Sequence, residues 1–426
     1  MRSYVDYSRE ELLQEQRELV QQYADFKARG IKLDMSRGKP SAAQLDLGNE
    51  LLKAVTGDAD YRAKDGTDCR NYGVLDGLPE AKELMASMMD VPASQVIIYG
   101  GSSLNIMYDT VSRAMTNGVL GSTPWAKLDK VSFLCPVPGY DRHFSICEHF
   151  GIDMIPVAMD EDGPDMDEVE RLVASDASIK GIWCVPKYSN PTGISYSDEV
   201  VRRFARLAPA AADFRIYWDN AYAVHHLYAD DQDVILDILE ECVHAGNSDM
   251  VYQFASTSKV SFAGAGISAL SSSEANIAEA KKQLSFATIG FDKLNQLRHA
   301  RYFVDTQGIA AHMEKHAALL APKFEAVLET LTTALEGRGL GTWIKPKGGY
   351  FITFEANVGC ATDILARAKE AGLVMTPAGA PYPYGDDPKD SVIRIAPSFP
   401  TPEELKTATE LFVLCVKLVA VEKALA

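Results

Sequence analysis

Apolar and polar positions change rhythm twice along the chain. Near the start, Ser8-Arg9-Glu10-Glu11 reads as a capping box that opens an amphipathic helix, and Gly30 reads as its stop. A polar loop, Met35-Ser-Arg-Gly-Lys-Pro40, follows. From about residue 70, short apolar runs alternate with helical stretches. Val96–Tyr99 precedes a helix from about Leu104, and Val131–Cys135 precedes one from about Tyr140. Met154–Val157, Ile182–Val185, Phe214–Trp218, Val251–Phe254 and Ile267–Leu270 continue the strand series. This alternation predicts an α/β domain with a mainly parallel central sheet and helices on both faces. Ligands of such sheets bind outside the carboxyl ends of the strands. Beyond about residue 300 the rhythm changes again. A long helical stretch, Ala310 to Leu335, leads to strand-like Gly348–Phe354, helical Asp363–Ala371 and strand-like Ser391–Ile395. The pattern predicts a large domain over 51–305 and a smaller α+β domain over 306–426, joined by the N-terminal segment 1–50.

Composition narrows the function classes. The 426 residues carry 59 acidic and 42 basic side chains, a net charge of −17. That balance argues against nucleic acid as a partner. The longest C-terminal apolar run, Leu411–Val416, is too short to span a bilayer, and acids at Asp6 and Glu10 interrupt any leader-like start. A cytoplasmic location without membrane attachment is the expectation. Seven cysteines stand singly with no CxxC pair, as expected for buried free thiols in a reducing compartment.

Five segments at predicted strand ends carry polar chemistry. Ser256-Thr-Ser-Lys259 follows the strand Val251–Phe254. Its lysine could form a Schiff base, could serve a Ser-x-x-Lys acyl hydrolase with Ser256 as nucleophile, or could be an ordinary solvated loop lysine. Trp218-Asp219-Asn-Ala-Tyr222 puts a carboxylate at a buried strand end, where it needs a cationic partner unless it is a metal ligand or a helix cap. Asn190-Pro-Thr-Gly193 offers an amide donor in a turn. Gly100-Gly-Ser-Ser103 opens a helix and suits a phosphate, although its spacing is neither Walker A nor Rossmann; a plain turn is the other reading. Arg394, inside the apolar Val392–Ala396, needs an anion, either a substrate carboxylate or a structural partner.

Taken together, these segments resemble the fold type I pyridoxal-phosphate (PLP) dependent aminotransferases of class I/II, more closely the aspartate aminotransferase-like branch. The resemblance runs from Met35 to Phe399 and includes Ser36-Arg-Gly-Lys-Pro40 and Ser258-Lys-Val-Ser-Phe-Ala-Gly-Ala-Gly266. It implies PLP as cofactor, held on Lys259, which also shuttles the reacting proton. It implies Asp219 at the pyridinium nitrogen with His143 behind it, Tyr222 and Asn190 at the phenolic oxygen, and Tyr140 stacked on the ring. Gly101, Ser102, Ser103, Ser256 and Ser258 would form the phosphate cup. Tyr72 would reach that cup from a partner subunit, which requires a homodimer. Arg394 would hold the substrate α-carboxylate with Gly38 and Asn190 nearby. The expected reaction moves an amino group between an amino acid, aspartate by the branch resemblance, and the oxo acid 2-oxoglutarate. Arg37, Lys39 and Lys187 are the candidate cations for a second substrate carboxylate. One departure stands out. The family places an arginine about eight residues after the lysine, and Ala263-Gly-Ala-Gly-Ile267 has none.

Overall fold

The computed structural model describes residues 2–57 and 60–426. Among the described residues twelve strands occur in chain order: β1 (Leu33–Asp34), β2 (Val96–Tyr99), β3 (Ser132–Val137), β4 (Asp153–Ala158), β5 (Ile179–Cys184), β6 (Arg215–Asp219), β7 (Val251–Ser256), β8 (Ser268–Ser271), β9 (Gly341–Trp343), β10 (Ile352–Ala356), β11 (Leu373–Val374) and β12 (Val392–Ile395). Strands β2 to β8 form one seven-stranded sheet in the order β2-β8-β7-β6-β5-β3-β4. Every pairing is parallel except those of β8, which runs against both β2 and β7. The mainly parallel sheet expected from the alternation is present. The antiparallel β8 follows β7 after a connection of only eleven residues, 257–267, too short for a helical crossover.

The sheet is apolar on both faces because helices cover both, so β2, β5 and β6 are buried at every position. One layer packs Ile97, Phe133, Trp183, Tyr217 and Phe254 against the helix Ser103–Asn117 and its neighbours. The other packs Ile182, Ile216, Trp218, Val201 and Phe204. All seven cysteines are free and buried.

The C-terminal part is built on a second, antiparallel sheet in the order β12-β10-β9, which pairs Arg394 with Thr353. The helix Thr306–Leu335 and the closing helix Pro402–Leu425 cover it. Leu12, Leu19 and Tyr23 of the first helix, Arg9–Ala28, lie in the same apolar cluster as Leu405, Phe412 and Val416. Ser8 and Glu11 cap that helix reciprocally, as the sequence predicts. Parallel pairing of β1 with β11 then fixes the chain that follows, so that residues 36–39 reach the mouth of a cleft between the two sheets.

Candidate active site

A cavity of about 690 Å³ opens at the carboxyl ends of the central strands. Its floor is the end of β6. Asp219 is the last residue of that strand and is 3 % exposed. Its Oδ2 lies 3.0 Å from His143 Nε2, and the imidazole stacks on Trp183 with centroids 4.4 Å apart. Its other oxygen, Oδ1, is buried with no hydrogen-bond partner among the described residues. An uncompensated carboxylate oxygen at this depth is costly. A cationic N–H donor lying on the floor of the cavity would satisfy it.

Lys259 projects from the loop after β7. Its Nζ sits 5.1 Å from the ring centre of Tyr222 and 5.8 Å from that of Tyr350. Burial lowers the pKa of this amine; the nearby Asp219 works against that shift, and Arg394 adds to it. A lysine of lowered pKa is a better nucleophile near neutral pH. Burial, helped by Tyr140 and Asp219, keeps the Tyr222 phenol protonated. Burial likewise pushes Tyr140 up to about 12. Both phenols therefore remain hydrogen-bond donors at neutral pH.

The loop after β5 delivers Asn190. Gly193 at φ +77° turns the loop, and Thr353 Oγ1 of β10 donates to the Pro191 carbonyl at 2.7 Å. Arg394 is 7 % exposed and spans the gap between the two sheets. Nη1 donates to Asn190 Oδ1 at 3.1 Å and to Asp141 at 3.3 Å, while Nε and Nη2 donate to Thr376 Oγ1. Thr376 Oγ1 in turn donates to the Ser36 carbonyl at 2.7 Å. The guanidinium lies 4.8 Å from the centre of the Phe351 ring. Its fork is aimed and held before any ligand arrives, with hydrogens to spare for a carboxylate.

At the other end of the cavity, Ser102 and Ser103 stand at the N-terminus of the helix Ser103–Asn117, and the Ser102 side chain makes no cap hydrogen bond. Ser256 donates to Ser258 at 3.1 Å, and Ser258 to the Gly101 carbonyl at 2.7 Å. Four hydroxyls and the positive end of a helix therefore share one corner, a good anion cradle. Gly101 contributes through its backbone and does not line the cavity. Where an arginine was expected, Gly266 packs so closely that a Cβ would lie 2.9 Å from Thr257 Oγ1. Asn295 holds the same turn by donating to the Ala265 and Gly266 carbonyls.

Gly38, Arg37 and Lys39 line the cavity, and so do Arg142 and Lys369. Among the described residues, none of these four cations makes an ion pair within 4 Å. Lys187 does not line the cavity. Its Nζ donates to the Ala223 carbonyl at 2.9 Å, and burial lowers its pKa to about 8. It therefore drops out as a substrate cation. Tyr72 is 83 % exposed and lies outside the cavity of its own chain. The sequence reading missed Thr376, Asp141 and Phe351, which orient Arg394, and Trp183, which supports His143. Thr376 and Phe351 precede the arginine-bearing strand in ordinary segments, and only the folded packing around Arg394 reveals their role.

The family model for aspartate amino-transferase matches residues 7–426. The chain belongs to that family. It is 46 % identical over 406 residues to the aspartate aminotransferase of Corynebacterium glutamicum, covering 95 % of this chain and 93 % of that one. The crystal structure of an aspartate transaminase from the same organism superposes with a TM-score of 0.95 at 45 % identity, covering 98 % of both chains. An aspartate aminotransferase from Thermus thermophilus, solved with maleate, gives a TM-score of 0.65 at 17 % identity over 94 % of this chain, a likeness of fold alone. The fold is that of PLP-dependent aminotransferases, and the chain is a transaminase of the aspartate aminotransferase type. The acyl-hydrolase reading of Ser256 falls with this membership. Its hydroxyl is engaged by Ser258, and no hydrogen bond joins it to Lys259 among the described residues.

Proposed function

We propose that this aminotransferase uses pyridoxal 5′-phosphate on Lys259 to exchange the amino group of aspartate with 2-oxoglutarate in alternating half-reactions. The observation that carries the reading is the buried, unpartnered Asp219 Oδ1 beneath a lysine of lowered pKa. A pyridinium N–H is the donor that this oxygen lacks, and the pair would keep the ring protonated. When bound, the cofactor supplies an electron sink for the carbanion formed at the amino acid Cα. The chain's residues do the rest. Lys259 would hold the cofactor, and its amine would move the proton at the amino acid Cα. Tyr222 and Asn190 would donate to the phenolic oxygen, Tyr140 would pack against the ring, and His143 holds Asp219 in place. Ser102, Ser103, Ser256, Ser258 and the Gly101 backbone would hold the phosphate. Without an arginine at positions 263–267, the helix N-terminus and hydroxyls carry more of that task.

Arg394 receives the α-carboxylate, beside Gly38 and Asn190. The side-chain carboxylate of aspartate meets Arg37 or Lys39, cavity cations with no ion-pair partner among the described residues. Replacing each by Gln should raise KM for aspartate about tenfold and leave that for alanine unchanged, since one charged hydrogen bond contributes about 1.5–3 kcal/mol. Equal loss for both substrates would remove the dicarboxylate assignment.

A homodimer with a shared site is part of this reading. Tyr72 is exposed and does not line its own cavity, and Phe286 and Ile289 are also exposed, close to where Lys293 Nζ donates to the Gly73 carbonyl. Such apolar exposure suits a second copy. The direct experiment is an absorption spectrum of the protein with pyridoxal 5′-phosphate, before and after aspartate. A visible band that aspartate bleaches and 2-oxoglutarate restores is expected. A protein that takes up no cofactor would overturn the reading.

A further inference from the structure

Four of the eight histidines, His225, His299, His312 and His316, are buried around the short segment that carries Lys259. His299 Nε2 meets the Ser261 hydroxyl at 2.8 Å, and His312 Nε2 lies 2.9 Å from the Val260 carbonyl, one residue past the lysine. His225 stands edge-on to Tyr222 and Tyr350, the two rings beneath the lysine amine, and both its ring nitrogens lack a well-formed hydrogen bond. None of these four has a role in the chemistry proposed above.

The protons of the His312–His316 pair can be assigned from their neighbours. Gln44 Oε1 accepts from the Ser41 amide at 3.0 Å, so the Nε2 end of Gln44 faces His316 Nδ1 at 3.2 Å and Tyr350 Oη at 2.9 Å. His316 Nδ1 is thus an acceptor, and the one proton of the neutral ring sits on Nε2. That nitrogen faces His312 Nε2 at 3.1 Å. The Val260 carbonyl can only accept, so His312 Nε2, 2.9 Å from it, carries that ring's proton and donates to it. His312 Nδ1 is then an acceptor and takes the Tyr302 hydroxyl proton at 3.2 Å. The proton on His316 Nε2 is directed at the same Val260 carbonyl. Burial keeps both rings neutral, lowering His316 to about 4.

One polarised chain therefore runs Ser41–Gln44–His316–Val260, and His312 donates to the same carbonyl. It begins in the N-terminal segment that lines the cavity and ends on the backbone next to Lys259. We propose that His316, with His312 and Gln44, is a positioning network that fixes the Lys259 backbone and keeps water from its amine. The proposal rests on the assignment of Lys259 as the cofactor lysine. The charged and titratable groups facing that amine are Asp219 and Arg394 from the two sheets, Tyr222 and His225 from the loop after β6, and Tyr350 before β10; Lys315 faces the histidine pair.

The test compares His316→Leu, His316→Gln and Gln44→Met with the unchanged protein. His316→Gln keeps a donor near the Nε2 position. In cofactor-free protein, Lys259 is modified with trinitrobenzenesulfonate across pH and the modified peptide is quantified. In cofactor-loaded protein, the pH midpoint of the visible band is read. Loosening the segment should hydrate the amine and raise both midpoints by about one unit in His316→Leu, with a smaller rise in Gln44→Met. His316→Gln should recover at least half of the shift. Unmoved midpoints in His316→Leu, or equal shifts in the Leu and Gln variants, would overturn the proposal. If His316→Leu does not fold, an unmoved midpoint in Gln44→Met overturns it. Failure of the unchanged protein to show any visible band would instead remove the cofactor reading, and modification of the cofactor-free protein would still judge the network.

Discussion

The floor and the wall of the cavity are built on opposite plans. The floor, around Asp219 and Lys259, is ringed by Tyr222, Tyr350 and His143 and carries Asp219 Oδ1 without a hydrogen-bond partner among the described residues. The wall, from the N-terminal segment and the C-terminal sheet, gathers Arg37, Lys39, Lys369 and Arg394, all but Arg394 without an ion-pair partner among the described residues. A buried floor makes each electrostatic contact strong and each misplaced proton costly. A cationic wall attracts small anions. The difference teaches that chemistry and choice of substrate are lodged in separate parts of the chain, and that they can be broken separately.

The largest effect should come from the floor. Lys259→Ala should abolish turnover and the visible band together, read by coupled assay and absorption; retention of either would detach the lysine from the cofactor. Asp219→Asn keeps the shape and removes the charge. It should lower kcat on the order of 10²–10³-fold with little change in KM, measured by steady-state kinetics. Next comes the wall. Arg394→Lys loses the planar fork that Asn190, Asp141 and Thr376 aim. KM for amino and oxo acids should rise about 10- to 150-fold, with kcat less affected. Equal damage to kcat would mean that the wall also serves the chemistry.

The smallest effect is on stability. Burial lowers His226, His299 and His316 to about 4, against an ordinary value of 6.5. A depressed pKa contributes stability that is present above the unfolded value and lost as pH falls through the folded one. The urea midpoint should therefore be flat above about pH 6.5 and fall between about 6.5 and 4. His316→Gln should flatten part of that acid slope. A slope unchanged in that variant would place the titration elsewhere.

Much of this plan is legible in the sequence. Val251–Ser256 followed by Thr-Ser-Lys, and Arg215–Asp219 ending in an acid, announce a parallel sheet with polar residues at its carboxyl ends. Period and turn residues are local signals, so strands and helices emerge within a few residues of their observed bounds. The long helix starts at Thr306 rather than Ala310 because Asp305 caps it by accepting from the Gly308 amide, a cue that the apolar period does not carry. What stays hidden is set by tertiary pairing. Lys187 looks like Arg37 and Lys39 in sequence, yet the fold turns it onto the Ala223 carbonyl. Gln44, His312 and His316 give no motif at all, since residues 44 and 316 meet only after the N-terminal segment has docked.

Gly38 shows how little slack the specificity wall has. A methyl group there would come within 2.5 Å of the Phe351 ring, the ring that supports the Arg394 guanidinium. A single hydrogen atom thus serves as the spacer between the entrance loop and the carboxylate clamp. Retuning this enzyme for new acids falls to positions 37 and 39, while residue 38 must stay bare or the clamp tilts with it.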